Sequence, residues 1–432
     1  MELRVIGGGL AGCEAAWQAA RRGVDVKLYE MKPAHFSPAH TDKNLCELVC
    51  SNSLKGNGLD NACGLLKEEM RRMGSLVIAC ADETRVPAGG ALAVDRERFS
   101  ALVTKRLLEN SRITLVCEKV EKIDETVPTI IATGPLTDSA LENDIRRLTG
   151  EEELFFFDAA APVITKESID MDKCFFAARY NKGTPDYINC PLDREQYDAF
   201  YDALVNAQRA ELHENAENVK VFEGCMPVEV MASRGRETLR FGPMKPRGLT
   251  DPKTGKEPCA AVQLRRDNAE GTLYNIVGFQ TNLKFGEQKR VFSMIPALKN
   301  AEFMRYGVMH RNTYINSPRL LSDDYSMLKY GNVYFAGQIT GVEGYVESAS
   351  SGLAAGINAA NKILGKGKVI FPPQTCTGAL IKYITDRENS RFQPMNANFG
   401  IIEWDRKKIK NKKERYEYIS SLALDAINGI TL

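Results

Sequence analysis

The hydrophobic pattern switches between two periods along the first hundred residues. Leu3-Arg4-Val5-Ile6 is short and mostly apolar, as a buried strand requires, and Val24 to Tyr29 repeats the pattern. Between them, the Ala-rich segment from Cys13 to Arg22 predicts a helix that stops at Gly23, a natural C-cap position. From Leu54 to Gly74 the chain is first Gly/Asn-rich and then helical. Val94 to Asn110 predicts another helix, apolar at Phe99, Leu102, Val103 and Leu107. Ile113 to Cys117 and Thr129 to Thr133 read as strands, the second passing into Gly134-Pro135. Much later, Gly331 to Gln338 predicts a strand that closes on glycine, and Gly341 to Ala360 a helix rich in Ser, Ala and Gly.

The turn between the first strand and the first helix is Gly7-Gly8-Gly9-Leu10-Ala11-Gly12. It carries the spacing GxGxxG at Gly7, Gly9 and Gly12, and Glu30 closes the second strand about 20 residues on, where a ribose acceptor is needed. The three glycines serve a tight turn, close approach of backbone to a pyrophosphate, and close helix–strand packing. Leu10 and Ala11 open the helix whose free amides face the phosphates. A Gly-rich turn without a ligand needs neither the acid nor the flanking elements, so a dinucleotide site is expected here.

Residues from roughly Phe155 to Arg319 change character, with many aromatics and two Pro/Gly-rich stretches, notably Phe241 to Pro258. Gly331 to Ala360 then returns to the earlier pattern. A first strand and a last strand–helix that serve one site imply a discontinuous cofactor domain. The expected fold class is α/β: a discontinuous Rossmann-type FAD-binding domain, of the two-dinucleotide-fold flavoprotein class, with an inserted α+β domain. The expected boundaries are 1–95 and 96–154 for the first part and the second βαβ half or domain junction. The inserted substrate domain follows at 155–325, and the last part, with a basic C-terminal helix, at 326–432.

Composition narrows the picture. With 44% hydrophobic residues among 432, there is ample material for packed cores, which excludes a disordered chain. A net charge of +1 excludes overall polybasic attraction to nucleic acid, so any polyanion must meet local patches. Arg406 to Arg415 is one candidate, with seven basic residues and one acid, although a solvated helix face has the same composition. Eleven cysteines without regular close spacing and only four histidines argue against a zinc site or disulfide framework. No metal is expected. Apolar runs fall short of the ~18 residues of a membrane span, and a reducing cytoplasm is the expected setting.

Several stretches carry a family resemblance. The opening IGGGLAGCEAAWQAARRGVDVKLYEMKP is similar to two groups of flavoprotein tRNA-modification enzymes: the large carboxymethylaminomethyl-uridine enzymes and the shorter folate-dependent tRNA uracil-5 methyltransferases. Glu47 to Ser53, Glu223 to Glu229, Phe241 to Pro246, Gly278 to Asn282, His310 to Tyr314 and Phe335 to Tyr345 resemble the second group, over nearly the whole chain.

The resemblance implies FAD, 5,10-methylenetetrahydrofolate as one-carbon donor, and NADH or NADPH as reductant. It also implies 5-methyluridine formed in the T-loop of tRNA, with a ribosomal RNA uridine as the alternative target. Uracil C5 attacks carbon only after a thiolate has added at C6, and a base must then remove the C5 proton. The resemblance selects Cys225 as nucleophile and Cys50 as acid/base partner, with the reversed assignment open; the other nine cysteines are expected to be buried and inert. The flavin is expected to carry the methylene and to return hydride.

His310 is implied to stack on the pterin. Gly134, Gly337, Gln338, Gly341, Gly344, Tyr345 and Val346 are expected around the ribityl and pyrophosphate groups, with Asn52 and Ser53 nearby and Lys32 towards the adenosine. Many related flavoproteins carry Asp where Gln338 stands, and a neutral amide still hydrogen-bonds a ribityl hydroxyl. Lys245, Arg247, Lys284, Lys289, Arg290, Lys407 and Lys408 are the expected RNA contacts. A monomer is the favoured state. Two other readings remain: an NAD(P)H flavin oxidoreductase, which would need CxxxxC and a second complete GxGxxG, both missing from the sequence, and an RNA-binding flavoprotein without methyl transfer.

Overall fold

A computed structural model of the chain describes residues 2–151, 154–210 and 226–431. Its centre is a five-stranded sheet with the spatial order Val333–Phe335, Thr129–Ile131, Leu3–Ile6, Val26–Tyr29, Ile113–Val116, every neighbouring pair parallel. Parallel strands need crossovers and burial on both faces, which explains their short, Val/Ile/Leu-rich sequences. The register places Ile6 beside Tyr29 and Ile131, and Ile131 beside Phe335. The turns after these strands therefore emerge on one edge, at Gly7, Glu30, Ala132 and Ala336.

Helices Leu10–Arg21 and Tyr345–Ile363 both start at that edge and cross each other closely. Small residues make the crossing possible. A Cβ on Gly352 would stand 2.1 Å from the Ala11 carbonyl oxygen, and one on Gly356 2.5 Å from that of Ala15. The expected helix after Val94 is Arg96–Leu108, buried at Phe99, Val103 and Leu107 and capped by Asp95.

The insertion forms its own layer. Six strands pair antiparallel in the order Phe175–Ala177, Tyr187–Leu192, Ala260–Arg266, Leu273–Ile276, Val163–Thr165, Phe303–Arg305. Tyr197, Phe200, Phe279 and Phe292 fill a core separate from that of the parallel sheet. An antiparallel sheet is not a second dinucleotide fold. An antiparallel ribbon, Leu154–Ala159 against Met309–Tyr314, leads into and out of this domain.

Residues 96–151 supply two strands of the central sheet, Ile113–Val116 and Thr129–Ile131. The C-terminal strip is corrected in part. Its helix is Lys412–Asn428, capped by Asn411, whereas 406–411 is non-helical and Arg406 has a φ of 51°. Among the described residues, no helix is long and apolar enough to cross a membrane.

Candidate functional site

The strand ends and helix starts enclose a cleft of about 1170 Å³, open to solvent at its mouth. Its lining unites the two ends of the chain: Gly7 to Ala11, Glu30 to Lys32, Ala132 to Asp138, Gly337, Gln338, Tyr345 and Ser348. The glycines differ in what they do. Gly7 has a φ of +105°, and a Cβ there would lie 2.5 Å from the Ala132 carbonyl oxygen. A Cβ on Gly12 would lie 1.8 Å from that of Gly7, so Gly12 supports the turn from beneath and does not line the cleft. At Gly9 an added Cβ meets nothing within 4 Å, which leaves the floor open to an incoming group. The helix behind it has no side-chain cap and no acid in its first turn, so its amide end suits a diphosphate.

Glu30 is held for its task. Its Oε2 accepts from the Gly8 N–H at 2.7 Å and its Oε1 from the Lys32 N–H at 3.0 Å. Lys32 lines the cleft, but its buried Nζ donates to the carbonyls of Asp42 and Asn44, at 2.9 and 2.5 Å, and lies 3.7 Å from Glu47. That ammonium fastens the 42–47 loop. Gln338 donates to Glu343 Oε2 at 2.5 Å, and burial, with repulsion from Asp158, pushes the Glu343 carboxyl well up. Gly134 lines the cleft. Gly341, Gly344 and Val346 shape the loop: the first two have φ of +85° and +118°, Gly341 backs onto the Phe392 ring, and Val346 is buried.

Cys50 sits at the cleft's edge, half-buried and free. Its N–H donates to the Tyr345 hydroxyl at 2.7 Å, and the Ser51 N–H donates to the same oxygen at 3.2 Å. The thiol lies 3.7 Å from the Ala159 carbonyl oxygen on the ribbon. The turn is fixed from the inserted domain as well: Arg265 donates to Ser51 Oγ at 2.7 Å and to Asn52 Oδ1 at 3.1 Å. Asn52 in turn donates to the carbonyls of Val94 and Arg266. Arg96 bridges Leu48 O and Asp267. Asn52 is therefore a domain-junction residue, fully buried, with its side-chain amide engaged within the chain. Ser53 lies in the strand Ser53–Gly56, away from the cleft lining.

Cys225 falls outside the described residues. His310 occupies the ribbon position opposite Asp158, one step from the Met309–Ala159 pair beside Cys50. None of the seven expected RNA contacts lines the cleft. Arg290 is paired with Glu287 at 2.7 Å, Lys284 donates to Gln208 at 3.2 Å, and Lys407 is held by Tyr418 and Asp405. Lys245 faces the Tyr180 ring at 6.0 Å, while Arg247, Lys289 and Lys408 are exposed.

Of the cysteines expected to be buried, Cys117 is exposed and Cys259 half-buried. Sequence reasoning missed Ser37 and His40, hydrogen-bonded at 2.6 Å, and the Lys119–Asp138 ion pair at 2.8 Å, all in the cleft lining. The approach of Ala132-Thr133-Gly134-Pro135 to the fingerprint was the available signal for the last. Among the described residues, no group of three or more His, Cys, Asp or Glu forms a metal site.

A parallel sheet whose glycine turns and two helix starts share one cleft defines a dinucleotide-binding protein of the flavoprotein class. The glucose inhibited division protein A family matches residues 2–367. A protein of Acetivibrio thermocellus named methylenetetrahydrofolate–tRNA-(uracil-5-)-methyltransferase TrmFO is 61% identical over 413 residues, covering 96% of this chain and 94% of that protein. Its namesake in Bacillus licheniformis is 58% identical over 429 residues, covering 99% and 98%. The chain belongs to this TrmFO family. In fold it is similar to GidA of Aquifex aeolicus, with a TM-score of 0.70 at 16% identity over 99% of this chain and 73% of that one.

Proposed function

We propose that the chain binds FAD in the cleft and methylates C5 of a tRNA uridine, using the methylene of 5,10-methylenetetrahydrofolate and NAD(P)H as reductant. The observation that carries this reading is the tie between cleft and thiol: Tyr345 lines the one and holds the backbone of Cys50 in the other. When bound, FAD supplies the one-carbon carrier and the hydride that completes the methyl group.

The chain's own groups then have defined tasks. The amide end of helix Leu10–Arg21 and Glu30 bind the dinucleotide, and Gln338 with Tyr345 borders its inner end. The Cys225 thiolate adds at uracil C6, pushing an electron pair onto O4. C5 would then capture the one-carbon unit that bound FAD supplies; Cys50 would take the C5 proton as the carrier leaves, and hydride reaching the exocyclic carbon would expel the Cys225 thiolate from C6 and restore the ring. The uridine must leave its stack to reach the cleft edge. The relatives' names support tRNA as substrate, and their sequences match this chain nearly end to end.

The test incubates pure protein with FAD, NADH or NADPH, labelled methylenetetrahydrofolate, and unmodified tRNA or rRNA transcripts. Label in 5-methyluridine of tRNA is expected. Label in rRNA alone would change the substrate, and label in neither would reject methyl transfer.

A further inference from the structure

A second cavity, of about 1560 Å³, lies where the ribbon meets the loop Arg387–Pro394. Arg319, Arg387 and Arg391 line it, and among the described residues no Asp or Glu does. Arg319 has one distant partner, Glu151 at 3.6 Å, and is 73% exposed. Among the described residues, Arg387 and Arg391 pair with no acid. Three guanidiniums gathered around one recess focus a positive field there and favour an anion.

The aromatic walls narrow the choice of anion. Tyr314 and Phe392 are buried and packed edge to face at 6.0 Å, and the Phe155 ring is already covered by Arg311 at 4.4 Å. Two of these rings are buried and one face of the third is covered, which leaves little room to stack a nucleobase, whereas the guanidiniums present forks that fit carboxylates.

The position narrows it further. The arginine loop is stitched to the loop bordering the cofactor cleft: the Met395 N–H donates to Gly341 O, and the Glu343 N–H to Met395 O, both at 2.9 Å. Tyr314 and the Asp158–His310 register position belong to the same ribbon. Four residue steps separate the cavity from the Asp158–His310 pair, about 13 Å of extended strand. An elongated ligand whose ring end lies near Cys50 would bring its far end to the arginines.

We propose that this cavity holds the γ-linked oligoglutamyl tail of the folate donor, its α-carboxylates paired with Arg387 and Arg391. The proposal rests on the folate reading above, so binding and turnover are measured separately. The probes are mono- and pentaglutamyl tetrahydrofolate, titrated onto the FAD-loaded protein, and the corresponding methylene forms in turnover. The pentaglutamyl form should bind about tenfold more tightly to the native chain. That preference should fall towards one in R387A/R391A and return in part in R387K/R391K. Flavin content, kcat and the KM values for tRNA and NAD(P)H should be unchanged.

Equal binding of the two forms to the native chain would overturn the proposal, whatever the activity. So would a double variant whose loss falls on the KM for tRNA, which would assign the arginines to RNA phosphates, or on that for NAD(P)H. If pentaglutamyl folate binds preferentially but no methyl reaches RNA, the tail site stands and the methyl-transfer reading fails.

Discussion

The cofactor edge of the parallel sheet and the charged surface of the inserted domain receive anions by opposite means. At the sheet edge, the work falls to backbone: glycine turns, an uncapped helix start, and a carboxylate held by the amides of Gly8 and Lys32. On the inserted domain, several of the basic side chains are already committed, Arg290 to Glu287 and Lys284 to Gln208. A site made of backbone is written in a short stretch of sequence. A free charge is decided by neighbours far along the chain, so a count of basic residues says little about where RNA lies.

The contrast can be broken at its tightest point first. Gly352→Val places branched carbon against the Ala11 carbonyl, forcing apart the two helices that frame the cleft. A loss of at least about 1–3 kcal/mol is expected from overpacking, with purified protein that no longer retains flavin absorbance. Cys50→Ala leaves that framework alone. It should keep flavin content while methyl transfer falls by about 10²–10⁴, the usual worth of a proton-transfer group. Tyr345→Phe leaves the Cys50 and Ser51 amides without their acceptor. Displacement of the thiol should lower kcat by up to about 10², with folate and RNA KM values little changed.

The smallest effect concerns stability. Burial raises the Glu69 carboxyl to about 7, although it accepts from the Cys376 and Thr377 amides. A raised carboxyl contributes stability that is present in acid and lost as pH rises from about 4.5 through about 7, by at most a few kcal/mol. Denaturant midpoints over that window should fall more steeply for the native chain than for Glu69→Gln.

What the sequence made legible follows the same division. The fingerprint, Glu30 and the return of the strand–helix pattern at Gly331 all depend on local spacing. The structure brings Gly7, Gly9, Glu30, Gly134, Gly337, Gln338 and Tyr345 into one cleft. The bonds of Lys32 and Asn52 were not legible because their partners are remote or backbone: carbonyls at 42 and 44 for one, and Val94, Arg265 and Arg266 for the other. No periodicity reports such bonds. The arginine-lined cavity was equally hidden, since residues 319, 387 and 391 meet only through the fold.

The central claim is that a thiol of this chain adds to a tRNA uracil beside the flavin cleft. Incubating the FAD-loaded protein with methylenetetrahydrofolate, NAD(P)H and tRNA transcribed with 5-fluorouridine tests it most directly, because fluorine at C5 blocks proton removal and traps the adduct. The account predicts a covalent protein–RNA species whose peptide map places the bond on Cys225, with Cys50 as the only other position consistent with it. RNA that remains unbonded to either thiol under these conditions would contradict it.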